Sequence, residues 1–276
     1  MDKTKVLYIS HSILPYLPAT ELSTVSRYLP HAMQDKGKEI RLFMPRFGCI
    51  NERRHQLHEV IRLSGMNLVI DDHDHPLIIK VATIPQAKMQ VYFIDNEEYF
   101  KRKSVLCDPE TGTSHPDNDE RMLFFGKGVI ETVKKLGWAP DIIHCQGWLS
   151  AMMPMLLKSV YKDEPLFAYS KIIYSVYPNE PFEAVPPRLH KKLQFEPIDD
   201  PEMFATLANP TFNNIHLNAA AHADGVILGS NNLDLSLVSE LEKLNTPMLP
   251  FLGENYIDGY NEFYDSIIQN EDVLVD

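Results

Sequence analysis

The sequence predicts an α/β fold: a single Rossmann-like, three-layer α/β/α domain with a mostly parallel sheet and inserted β-hairpins. Three observations predict it. Val6 to Ser10, an amphipathic stretch from Thr20 and Glu39 to Met44 form a strand–helix–strand opening of the doubly wound kind. Ile142 to Cys145 is an apolar run that turns a polar corner at Gln146–Gly147 into a helix opened by Trp148, as a central parallel strand buried on both faces would. Between them, Val60–Leu63, Met66–Ile70, Leu77–Ile84 and Met89–Ile94 are closely spaced strand candidates with polar turns, the signature of antiparallel hairpins.

The elements follow in order. The first strand, Val6 to Ser10, is β-branched and aromatic, and a loop with Pro15 and Pro18 follows it. The Thr20 hydroxyl can cap a helix whose one face carries Leu22, Val25, Leu29 and Met33. The second strand is closed by Pro45–Arg46–Phe47–Gly48. Asp119 is placed to cap a helix over Glu120–Leu136, with Met122, Phe125, Val129 and Val133 on one face. A helix from Trp148 to Tyr161, interrupted by Pro154, then leads to a strand over Ile172–Val176.

From Asn179 to Pro210 the chain is rich in proline and polar residues and is expected to be the most mobile part, with a short helix or two. Phe212–His222 reads as helix and Gly225–Gly229 as strand. Leu233–Leu244 reads as helix capped by Asn231 or Asn232, and Met248–Leu252 as a short strand. Residues 255–268 form a last helix with Tyr256, Tyr260, Phe263 and Ile267 on one face, expected to pack back on the rest. The whole of 1–276 reads as one unit.

Composition excludes several classes of function. With 38 acidic against 26 basic residues the net charge is −12, so the long-range field repels nucleic acid and anionic membranes but leaves neutral polymers open. The three cysteines, Cys49, Cys107 and Cys145, form no metal-binding or paired spacing, and the first apolar run is too short for a secretory leader. A cytoplasmic location is expected, with no membrane span. Asp71–Asp72–His73–Asp74–His75 reads as a solvated turn between strands rather than a metal cluster, because consecutive side chains point in different directions. Asn51–His55 reads as an exposed helix start. No metal and no cofactor is expected.

Several segments together resemble the N-terminal catalytic domain of starch and glycogen synthases, retaining glycosyltransferases of the two-domain GT-B architecture. They are Lys5–Ser10 with Pro15, Leu29–Pro30, Lys38–Gly48, Val91–Asn96 with Tyr99–Phe100, Asp117–Asn118 with Arg121, Pro140–Trp148 and Ala223–Val226, in the family's order. The resemblance implies the GT-B N-terminal half as fold. It implies transfer of glucose from ADP-glucose to an α-1,4-glucan, with a second Rossmann-like domain binding most of the nucleotide. Carried over residue by residue, it implies His144, Gln146 and Asp117 at the reaction centre. It implies Pro18, Thr20, Glu21, Asn118, Arg121, Trp148 and Tyr177 around substrate.

The sequence also departs from the family. The Lys-x-Gly-Gly-Leu loop that meets the donor diphosphate falls on Pro18–Ala19–Thr20–Glu21–Leu22, where only the leucine remains. A lysine supplies charge to phosphate and glycines let backbone approach it, so proline and glutamate replace attraction with repulsion. The family's His-x-His-Asp-Trp reads His144–Cys145–Gln146–Gly147–Trp148. The 276 residues end where the nucleotide domain would begin. The expected function is therefore glycogen/starch synthase-like glycosyl transfer that needs a second GT-B domain, from a partner chain or a homo-oligomer. The alternative is an inactive glucan-binding or regulatory module. A third reading is a transferase for another nucleotide sugar, using His144 with Glu21. Each reading has its bland counterpart: His144 as a core histidine, Asp117–Asp119 as a helix cap, and the last aromatic helix as ordinary packing.

Overall fold

In a computed structural model, residues 3–84, 86–178 and 185–269 are described. The strands are β1 (Lys5–Ser10), β2 (Glu39–Pro45), β3 (His58–Glu59), β4 (Met66–Ile70), β5 (His73–Ile84), β6 (Met89–Asp95), β7 (Ile142–Gln146), β8 (Lys171–Val176), β9 (Gly225–Leu228) and β10 (Met248–Leu249). The helices are α1 (Glu21–Asp35), α2 (Glu52–His55), α3 (Glu97–Phe100), α4 (Asn118–Leu136), α5 (Met152–Lys158), α6 (Leu189–Leu193), α7 (Phe212–Ala221), α8 (Leu235–Glu242) and α9 (Tyr256–Gln269).

One sheet runs in the order β10-β9-β8-β7-β1-β2-β6-β5-β3, with β4 paired to β5. It is parallel from β10 to β6 and antiparallel where β5 meets β6, β3 and β4. The chain leaves β1 toward β2 on one side and returns through β7 on the other. That reversal opens a crevice at the carboxyl ends of β1 and β7, where open α/β sheets bind ligands. The β1, β7 and β8 side chains are buried on both faces apart from half-buried Lys5 and Lys171, which fits the apolar runs that announced them.

Helices α1 and α9 share one face of the sheet, held together by Lys36–Asp258 at 2.7 Å and Lys38–Asp265 at 3.1 Å. On the opposite face α4 packs on α5, and α5 on α7.

Several elements differ from expectation. Val60–Leu63 is a turn, not a strand: Leu63 and Ser64 N–H both donate to the Val60 carbonyl, and Ile61 is left 82% exposed. The short strand beside it is His58–Glu59. The helix after Gly147 begins as a 3-10 turn over Trp148–Ser150 and becomes α-helical only over Met152–Lys158. There Pro154 sits in the first turn and displaces no helical hydrogen bond. The cap of α8 is Asp234, whose carboxylate accepts from Ser236 N–H, so the helix starts later than Leu233. β10 stops after Leu249, because Pro250 has no N–H to donate. Of the stretch expected to be mobile, 179–184 lies outside the described residues. The remainder holds α6 and a 3-10 run over Pro201–Ala208.

Asp71 and Asp72 both have positive φ, 48° and 64°, and form the tight turn joining β4 to β5. Among the described residues no group of three His, Cys, Asp or Glu is placed to hold a metal ion, and no helix is long and apolar enough to cross a membrane.

Candidate functional site

A cleft of about 570 Å³ opens at the crevice between β1 and β7. Its floor is the end of β1, through His11 and Ser12, and the Gly147–Trp148 corner after β7. Gly147 has φ 75°, and a Cβ there would lie 3.1 Å from both His11 Cε1 and Leu22 Cδ2. The glycine is therefore required for the floor to close against α1. The N-terminus of α1 (Pro18, Thr20, Glu21, Leu22) forms one wall. Tyr177 and Pro178 beyond β8 form a second, and the loop from Lys103 to Pro109 a third.

The α1 wall is held by its own hydrogen bonds. Thr20 Oγ1 accepts from Ser23 N–H at 3.0 Å while Ser23 Oγ accepts from Thr20 N–H at 2.8 Å. Ser23 Oγ also donates to the Pro18 carbonyl at 2.9 Å. This capping box uses amides that a bound phosphate would otherwise find at a helix N-terminus. Glu21, exposed in the first turn, adds a carboxylate there, the only one among the described residues lining the cleft.

Lys103 is the one ammonium along the cleft lining among those residues, and it sits exposed on the far loop. Tyr177 is 5% exposed, and burial pushes its phenol pKa well above the usual range, so it stays a neutral hydroxyl. Trp148 is 2% exposed, its ring 6.2 Å from that of His11 and 5.4 Å from that of Phe212.

Pro18, Thr20, Glu21, Trp148 and Tyr177 are thus brought together in one cleft. The other residues carried over from sequence sit elsewhere. His144 was expected to emerge at the sheet edge; instead it is fully buried under α9. Its Nδ1 lies 2.7 Å from the Tyr264 hydroxyl and its Nε2 2.6 Å from Ser175 Oγ. The strand's two-residue period aims both His144 and Gln146 beneath the helices, and only Gly147 reaches the edge. Gln146 Oε1 accepts from Ser26 Oγ at 3.0 Å, and Gln146 is also fully buried.

Asp117 lies behind the cleft, with both carboxylate oxygens on Arg102, at 2.8 and 2.6 Å. Asn118 donates to the Leu106 carbonyl at 2.8 Å and accepts from Arg121 at 2.7 Å. The buried Arg121 guanidinium lies 5.4 Å from the Phe47 ring and 5.3 Å from the Phe100 ring. Burial, with the neighbouring Arg102 charge, brings its pKa down to about 9. Asn118 and Arg121 therefore shape the Lys103–Pro109 wall from behind rather than facing its lumen. Asp119, expected to cap α4, instead lies inside its first turn after Asn118, where Oδ1 accepts from Glu120 N–H and Oδ2 binds Lys192 at 2.6 Å.

The sequence reading missed His11 and the 103–109 wall. His11 could have been found, since it directly follows a strand ending at the crevice. The wall carries no periodic signal.

The model of the starch synthase catalytic domain matches residues 5–243. A glycogen synthase from Chlorobium limicola is 39% identical over 173 residues, covering 63% of this chain and 35% of that protein. One from Chlorobium phaeovibrioides is 33% identical over 250 residues, covering 84% of this chain and 51% of the relative. The chain thus spans about a third to a half of the length of these relatives. The catalytic domain of starch synthase IV from Arabidopsis thaliana, solved with ADP and acarbose, superposes with a TM-score of 0.72 at 18% identity, over 91% of this chain and 52% of that one. That superposition shows the shared fold, and the family match over residues 5–243 with the 33% identical relative shows the rest: the chain belongs to the starch synthase catalytic domain family, as a glycogen/starch synthase-like glycosyltransferase domain.

Proposed function

We propose that this chain forms the acceptor-side wall of a glucosyl-transfer cleft, holding an α-1,4-glucan that is elongated from ADP-glucose. The nucleotide wall comes from a second GT-B domain, on the same polypeptide or on a partner. One observation carries the reading: the cleft lies at the β1/β7 switch point and offers an aromatic, hydroxyl-bearing surface whose one ammonium among the described residues is the exposed Lys103. Trp148 and Tyr177 suit the faces of sugar rings. Ser12, Thr20 and Ser104 offer hydroxyls, and Glu21 can accept from the hydroxyls of a neutral polyol. Transfer requires donor and acceptor held in register while charge on the departing diphosphate is neutralised. The Thr20–Ser23 box and Glu21 supply none of that neutralisation, so it falls to the second wall. Function in the cytoplasm goes with this reading.

The same capping box favours a second reading, an inactive glucan-binding or regulatory module. Two measurements separate the readings. Co-sedimentation with glycogen and calorimetry with maltoheptaose are expected to show binding. Glu21→Gln should weaken it about threefold to tenfold, the worth of one charge-assisted hydrogen bond in a solvated site. Glucosyl transfer from ADP-glucose upon adding a GT-B nucleotide-binding domain selects the first reading; binding without transfer selects the second. Absence of any maltoheptaose binding ends both.

A charge reversal tests the phosphate argument directly. Glu21→Lys is expected to raise the affinity for ADP by about tenfold or more at low salt, and to lose most of that gain in high salt. Unchanged ADP affinity would show that this wall does not approach the nucleotide.

A further inference from the structure

Beneath the cleft, on the sheet face covered by α1 and α9, runs a line of hydroxyl and imidazole groups that the proposed function leaves unused. Tyr264 on α9 reaches His144 Nδ1 at 2.7 Å, and His144 Nε2 reaches Ser175 Oγ at 2.6 Å. The Ser175 backbone carbonyl in turn accepts from Gly147 N–H at 3.0 Å, and Gly147 with Trp148 is the cleft floor. Two residues along, Tyr177 emerges on the same side as Ser175 and lines the cleft. Tyr260, one turn before Tyr264 on α9, has its ring 6.1 Å from that of His144, and its hydroxyl neighbours those of Ser175 and Tyr177. The Tyr177 hydroxyl is itself buried, beside that of Tyr260.

A neutral imidazole has one donor nitrogen and one acceptor nitrogen. The two His144 bonds must therefore run in one sense, from Tyr264 toward Ser175 or back. Loss of the Tyr264 hydroxyl would release that constraint and leave a buried ring nitrogen unpaired.

We propose that Tyr264 and Tyr260 are positioning residues of the cleft. Through His144 and Ser175 they fix the Gly147–Trp148 corner and hold the Tyr177 ring in the cleft wall, so seating of α9 and glucan binding are coupled. The proposal rests on reading the cleft as a glucan site. Coupling is reciprocal: a ligand that needs the seated helix must also steady it.

The test uses the full chain and its Tyr264→Phe and Tyr260→Phe variants. Tyr264→Phe should shift the His144 ring-nitrogen NMR signals and the amide signals of Gly147 and Trp148 while far-UV circular dichroism stays unchanged. Maltoheptaose binding should weaken about threefold to tenfold in either variant, and saturating maltoheptaose should slow amide exchange in α9 of the unaltered protein. Unmoved Gly147, Trp148 and Tyr177 signals with normal affinity in both variants would overturn the proposal. If Tyr264→Phe fails to fold, Tyr260→Phe carries the same measurements at Tyr177. Should the unaltered chain not bind maltoheptaose, the glucan reading fails, and the ligand-free NMR comparison still decides whether α9 positions the corner.

Discussion

Lys192→Met is expected to remove about 3–5 kcal/mol of folding stability, the usual cost of leaving a buried carboxylate without its partner. The Lys192 ammonium lies 2.6 Å from Asp119 Oδ2 and 2.6 Å from Glu120 Oε1, with the lysine side chain 2% and the Asp119 side chain 0% exposed. Burial already pushes the Asp119 carboxyl above its ordinary range, with Lys192 opposing that rise. Glu120 also suffers from burial, yet Lys192 and Tyr99 hold it below its ordinary range. The line continues from Glu120 through the Tyr99 hydroxyl at 2.9 Å to His75 and then Glu98.

This buried line ties α6 to α4 and to the β4–β5 hairpin, across the back of the domain. Urea unfolding followed by tryptophan fluorescence would measure the loss. A second variant, Lys192→Met with Asp119→Leu, should recover most of it, since the uncompensated charge goes with its partner. A loss under 1 kcal/mol in the single variant would mean that water reaches Asp119 in the folded chain.

What sequence could and could not reveal follows from the range of the interactions. β1, β7 and β8 were legible because a strand buried on both faces must be apolar along its length, and that pattern is local. The Thr20 cap was legible for the same reason, its partners being three residues away. The hairpin strand placed at Val60–Leu63 failed because an apolar run says nothing of whether a neighbouring strand is free to pair. β5 takes His58–Glu59 instead.

His144 illustrates the deeper limit. Its position at a strand end and its place in a family motif both suggested the pocket, but the pleat turned it under α9. Its partner Tyr264 is 120 residues away, beyond any local signal. The cleft wall from Lys103 to Pro109 is likewise defined at a distance, by Asn118 on Leu106 and by the Cys107–Ser114 bridge. Pro18, Thr20, Glu21, Trp148 and Tyr177 do share the cleft, because each flanks the carboxyl end of a central strand, and topology alone gathers such positions.

Lowering the pH from 6.5 to 5 is expected to cost the fold about 3 kcal/mol, through two buried imidazoles. Burial brings His144 and His216 each down to about 3, from an unfolded value of 6.5. Between those limits the unfolded chain binds protons that the folded chain refuses. The stability these groups confer is therefore present above pH 6.5 and is lost as the pH falls, each group contributing up to about 1.4 kcal/mol per pH unit. Burial also lowers His222, His115 and His55, which act in the same sense with smaller weight because they are less enclosed. The raised Asp119 carboxyl works the other way.

Equilibrium urea unfolding at half-unit steps from pH 7.5 to 5 measures the slope. His216→Gln, which keeps a polar group toward the Tyr174 hydroxyl now 2.7 Å away, should remove about half of it. Glucan binding by the folded chain should stay level over the same range, because His144 remains neutral until the pH approaches 3 and the line from Tyr264 to Ser175 stays intact. Stability that stays level from pH 6.5 to 5 would require both imidazoles to take up protons within the folded chain, and so to reach water through a path beneath α9.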